Sequence, residues 1–116
     1  SSTSRGLGDV YKRQSLLNAH FQSGKPDFDV LICGNDRAAF VAYQVLLAKG
    51  VRIPQDVAVM GFDNLVGVGH LFLPPLTTIQ LPHDIIGREA ALHIIEGREG
   101  GRETRIPCPL LIRCST

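Results

Sequence analysis

Apolar residues come in consecutive runs at Phe28-Asp-Val-Leu-Ile-Cys33 and Val57-Ala-Val-Met-Gly-Phe62, without the polar alternation of a half-solvated strand. The second run suits a parallel strand covered on both faces, and the first reads as a buried strand. Between them, Arg37–Lys49 predicts a helix, with Asn35 or Asp36 as its N-cap and Gly50 just past its end. Strand, helix and strand in this order make a right-handed βαβ unit. The helix has only a narrow polar face (Arg37, Gln44, Lys49), while Phe40, Val41, Tyr43, Val45 and Leu47 leave it apolar on most sides. That pattern predicts a sheet on one side and a partner subunit on the other.

Ahead of this unit, Ser15–Gln22 reads as a short helix that stops at Gly24 and Pro26. After it comes an irregular stretch, Asn64–Leu73, and then a short strand or crossing segment, Leu76–Ile79. His83–Glu96 predicts a helix, with Ile86, Ala90 and Ile94 recurring every four residues and Gly97 closing it. Ile106–Arg113 is a closing strand whose Pro107 and Pro109 suit a sheet edge.

Ser1–Gln14 fits none of this. It lacks helical or strand periodicity, and Asp9-Val-Tyr-Lys-Arg-Gln14 back-translates to GATGTGTATAAGAGACAG, the transposon end used as an adapter in sequencing-library preparation. Residues 1–14 are therefore expected to be a non-native leader, with native coding from near Ser15 and 15–116 forming the C-terminal part of a longer domain. Such a leader is excluded from fold reasoning.

Composition narrows the function. A formal charge of +1 supplies no basic field to hold nucleic acid unaided, so any DNA contact must fall to another part of the protein. The three cysteines (Cys33, Cys108, Cys114) show no paired spacing and point to reduced thiols in a cytosolic setting. Neither a membrane-length apolar run nor a hydrophobic signal core is present in the sequence. The four histidines have no metal-ligand spacing, and the glycine runs do not form a phosphate loop. There is no G-x-S-x-G nucleophile elbow, so no enzyme activity and no cofactor are expected.

What remains is a set of polar groups at one sheet edge. Asn35 and Asp36 leave the first strand at its carboxyl end; Asp63 and Asn64 leave the second at the same edge. Ligands of open α/β sheets bind there. An amide beside a carboxylate both donates and accepts, as ring hydroxyls of a sugar or edge atoms of a base require. Asp36 reads first as a helix cap, Asn64 equally as a turn residue or a contact, and Asn35 and Asp63 as ligand contacts.

The runs Ile32-Cys-Gly-Asn-Asp36, Ile53-Pro-Gln-Asp-Val-Ala-Val-Met-Gly-Phe-Asp-Asn64 and Pro75-Leu-Thr-Thr-Ile79 resemble the LacI/GalR family of bacterial transcription regulators. Gly87-Arg-Glu-Ala-Ala91 and Leu111-Ile-Arg-Cys-Ser-Thr116 extend the likeness, which covers roughly Leu16 to Thr116 in order. The resemblance implies an α/β fold, here a parallel-sheet fragment of a two-lobed, periplasmic binding protein-like type I sensor domain. It implies a small effector, a sugar or nucleobase, held in the cleft by Asn35, Asp63 and His83. It also implies a homodimer with Phe40 and Phe72 at its interface, and operator DNA bound only through a separate N-terminal domain. Gln80–Pro82 and the stretch near Thr104–Pro107 become inter-lobe crossovers, which puts the His83–Glu96 helix in the other lobe. A periplasmic sugar-binding protein of a transporter, which shares the fold, is the alternative.

Overall fold

Helix α2 (Asp36–Ala48) begins where Asn35 holds extended backbone (φ −161°, ψ 170°) and its Oδ1 accepts from the Ala38 N–H at 2.8 Å. That bond satisfies one of the donors every helix start leaves without a partner. After the C-cap, Lys49, Gly50 takes φ +74°, a left-handed value that favours glycine. The computed structural model describes residues 7–22, 24–98, 100–101 and 103–116.

The strands flanking α2 are β3 (Val30–Ile32) and β4 (Ala58–Met60), paired in parallel with Val30 opposite Ala58, Leu31 opposite Val59 and Ile32 opposite Met60. Ala39, Ala42, Tyr43 and Leu46 of α2 pack onto Cys33, Val57 and Val59, with Leu31 alongside, completing the expected βαβ unit. Leu46 is fully buried, which contributes about 2 kcal/mol. Cys33 is a buried small hydrophobe in this core, and burial pushes its thiol up to about 11. The expectation that β3 is buried fails on its outer face. Val30 and Ile32, pointing away from α2, are 56% and 72% exposed, because nothing among the described residues packs on that side.

Beyond β4 the chain makes a 3-10 turn at Gly69–Leu71 and enters β5 (Thr78–Ile79). Parallel bridges from Met60 to Thr77 and from Asp63 to Gln80 set β5 against the exit of β4, and β6 (Leu110–Leu111) pairs antiparallel with β5. The chain end is bonded in tightly: the buried Ser115 hydroxyl donates to Val59 O at 2.6 Å and accepts from Thr77 N at 2.8 Å. Arg113 donates to Leu76 O and to Asn64 Oδ1, both at 2.9 Å.

Helix α1 spans Leu7–Asn18, not Ser15–Gln22, and Phe21–Gln22 is instead a strand, β1, that pairs antiparallel with β2 (Lys25–Pro26). The half-buried face of α1 carries Val10, Arg13, Gln14 and Leu17 at helical spacing. Two of those four are polar, which hides the period in an apolar count. Residues 1–6 of the expected leader lie outside the described residues.

Helix α3 (His83–Ile95) follows the expected bounds to within a residue, yet it has no buried residue. The molecule is accordingly long, 59 × 32 × 24 Å, with a radius of gyration of 17.5 Å. A compact domain near this size has about 13 Å. Ile94 and Ile95 stand in solvent on α3, as a helix belonging to a lobe outside this chain would place them. Among the described residues no helix is long and apolar enough to cross a membrane.

Candidate effector-binding site

The cleft at the carboxyl ends of β3 and β4 is built by hydrogen bonds from Asp36. Its backbone N–H donates to Phe62 O at 3.0 Å, which brings the Asn35-Asp36 pair alongside Phe62-Asp63. Its carboxylate is fully buried: Oδ1 accepts from the Thr78 hydroxyl at 2.7 Å and Oδ2 from Leu65 N at 2.9 Å. The Phe62–Leu65 loop is thus gripped on both sides by one residue. Asp36 is not the cap; Asn35 is. Two charge-assisted bonds, at about 1.5 to 3 kcal/mol each, hold a side chain that a capping role would have left at the surface.

Gly61 makes room for it. A Cβ there would collide with the Asp36 carboxylate and with Leu76 Cδ2. A glycine in the middle of an apolar strand marks such a close approach, and that was the one sequence signal for a buried Asp36.

Asp63 and Asn64 both take left-handed backbone, φ 97° and φ 51°. Non-glycine residues held so cost about 1 to 3 kcal/mol each and persist only when their surroundings fix them. The surroundings here are Asp63 N on Ile79 O at 2.8 Å, Leu81 N on Asp63 O at 3.3 Å, and the Asp36 grip. Asn64 sits in the turn and accepts from Arg113 through its Oδ1 at 2.9 Å.

Asp63 is different. Its Oδ1 is buried and has no hydrogen bond, alone in this among the described side chains. Burial raises its carboxyl above the ordinary 3.8, the Asp36 charge and a side-chain hydrogen bond with Asp36 raise it further, and the backbone N–H groups of Asp36 and Leu65 oppose the shift. A buried, unpaired acceptor is costly unless something outside the chain donates to it. Asn35, one strand over, has committed its oxygen to the cap, and its Nδ2 hydrogens make no hydrogen bond to the described residues.

Beside them a cleft of about 340 Å³ is lined by Ile32, Cys33, Gly34, Met60, Gly61, Phe62 and Ile79. Its apolar floor suits the faces of a ring. A second cavity, about 380 Å³, lies between α1 and α2 and includes Leu16, Leu17 and Val41. Neither cavity is lined by Asn35 or Asp63.

The remaining expected site residues are placed less closely. His83 opens α3 in solvent and makes no hydrogen bond to Asn35 or Asp63. Phe40 is 52% exposed on the outer face of α2, whereas Phe72 is only 4% exposed. Phe72 meets the Phe40 ring edge-on at 5.9 Å and the Tyr43 ring at 4.8 Å. Among the described residues no group of three or more His, Cys, Asp or Glu could hold a metal ion.

A parallel sheet with an Asx pair at its carboxyl edge and a crossover into a separate helix defines one lobe of a two-lobed binding protein-like domain. The chain belongs to the family described as periplasmic binding proteins and sugar binding domain of LacI family, whose profile matches residues 5–114. It is 98% identical over 102 residues to the sucrose operon repressors of Shigella flexneri and Escherichia coli, covering 88% of this chain and 31% of theirs. The chain thus spans about a third of the length of these curated relatives. Among solved structures it is similar to a LacI family transcriptional regulator from Arthrobacter sp. FB24 in complex with lactose (TM-score 0.73, 27% identity, 92% of this chain and 40% of that one). Another is a LacI family transcriptional regulator from Enterococcus faecium with bound ribose (TM-score 0.71, 27% identity, 92% and 39%).

The raised Asp63 carboxyl sets a testable sign. An acid whose folded pKa lies above its unfolded value destabilises the fold when ionised, above the folded pKa, and ceases to do so below the unfolded one. Asp63→Asn, which tolerates positive φ, should stabilise the full-length protein at neutral pH. The gain should vanish as pH falls toward 3.8. Thermal melts across pH read this; a gain independent of pH would show that charge is not the cause.

Proposed function

We propose that this chain is the effector-sensing part of a sugar-responsive transcriptional repressor. The buried, unpartnered Asp63 Oδ1 beside the Asn35 amide carries the reading: such a pair awaits a ligand hydroxyl. The identity to sucrose operon repressors supports a sugar from sucrose utilisation as the effector. These relatives are named repressors, and none of the observations above favours a transporter's binding protein. His83 is proposed to close on the ligand from the second lobe. Operator DNA is proposed to be bound by a helix-turn-helix domain elsewhere in the longer protein, in the cytoplasm.

The sugar acts by binding one arrangement of the two lobes better than the other, since only differential affinity shifts a conformational equilibrium. In the full-length protein, Asp63→Ala should abolish operator release by sucrose, fructose or glucose while operator affinity in their absence is kept. Gel-shift titration tests it, and release equal to wild type would refute the cleft.

The outward face of α2 is proposed as the homodimer contact. The exposed Phe40 supports this; the buried Phe72 would then act by holding the Phe40 ring. Phe40→Glu should dissociate the dimer in analytical ultracentrifugation, and an unchanged sedimentation coefficient would count against the interface.

Residues 1–14 are proposed to be non-native. In support, the 102 residues aligned with the sucrose operon repressors equal in number those from Ser15 to Thr116. Amplifying the locus from source DNA decides: a native frame running unbroken through Asp9–Gln14 would end the idea.

A further inference from the structure

We infer that Asp36 is a positioning residue for the effector response, presenting Asp63 to the cleft and tying it to the crossover strand β5. This deepens the reading of Asp63 as an effector contact and rests on it. Asp36 touches no part of the cleft opening and is fully buried, so it acts through other groups. Outside its own helix it bonds to Phe62, Leu65 and Thr78, and each bond reaches an element that Asp63 depends on. Its N–H fixes Phe62 O on one side of Asp63, and its Oδ2 fixes Leu65 N on the other. Its Oδ1 takes the Thr78 hydroxyl, two residues before Gln80, which is bridged to Asp63.

The left-handed backbone of Asp63 and Asn64 is what this grip maintains. Released from it, the two residues have no reason to keep positive φ, and the Asp63 carboxylate swings out of register with Asn35. The Thr78 bond adds a second consequence. Beyond Ile79 the chain passes through Gln80–Pro82 into α3, which has no buried residue. A ligand that pulls on Asp63 therefore loads, through Asp36 and Thr78, the strand leading out of this lobe.

Asp36 also faces Asp63 as a like charge, and no other titratable group does so from the elements around it. β5 presents Thr78, Ile79 and Gln80, the β4 exit presents Asn64, and His83 stands exposed at the start of α3. Removing the Asp36 charge while keeping its shape should therefore alter how Asp63 titrates, an effect no merely structural role produces.

The test uses the full-length protein and sucrose, fructose and glucose as probes, with sugar affinity measured by calorimetry over a pH series. Thr78→Val should weaken binding of the sugar that wild type takes by roughly tenfold, the loss of about one charge-assisted bond. Thr78→Ser should restore it. Asp36→Asn should move the acid limb of the affinity profile to lower pH. If both variants lose thermal stability but keep wild-type affinity and pH profile, while Asp63→Asn no longer binds, Asp36 is structural only and the proposal fails. If Asp63→Asn binds as wild type does, or wild type binds none of the three sugars, the cleft reading falls and takes the proposal with it. Should Asp36→Asn not fold, the Thr78 pair still decides.

Discussion

Two carboxylates share the carboxyl edge of one small sheet, and their fates differ. Asp36 gives both oxygens to donors inside the protein, Thr78 and Leu65. Asp63 keeps a buried oxygen with no hydrogen bond. The first arrangement creates the second, because the bonds of Asp36 hold the left-handed turn in which Asp63 sits. Gly61, lacking a side chain, leaves space for that carboxylate above β4. The fold is in this sense built around a satisfied acid beside an unsatisfied one. The raised Asp63 carboxyl is a cost to stability when ionised.

The same arrangement explains how a small ligand could be felt at a distance. β4 and β5 meet at the Asp63–Gln80 bridge, and the C-terminal segment binds both through Ser115 and Arg113. This lobe is therefore stiff where the effector is proposed to touch it. The helix it leads to, α3, has no buried residue. Stiffness on one side and freedom on the other is what hinged motion between lobes requires.

Much of this was legible in the sequence. The two consecutive apolar runs and the helix between them gave the parallel βαβ unit. What escaped has physical causes. Asn35 and Asp36 are adjacent and both cap helices well, so sequence could not say which would cap; tertiary bonding to Thr78, 42 residues away, decides it. The helix in Leu7–Asn18 hid because its half-buried face includes Arg13 and Gln14. β3 was expected to be buried because its composition is that of a central strand, and the element to cover its outer face is not among the described residues. Phe72, expected at a subunit interface, packs its ring edge-on against Tyr43 within this chain.

The central claim is that Asp63 Oδ1 waits for a hydroxyl of a sugar. The most direct measurement is a crystal structure of the full-length protein grown with the sugar it binds. The account predicts a sugar hydroxyl within hydrogen-bond distance, about 2.5 to 3.0 Å, of Asp63 Oδ1, with the Asn35 amide donating to the same ring and Asp36 unmoved on Thr78 and Leu65. A sugar bound elsewhere, with Asp63 Oδ1 still without a partner, would contradict it.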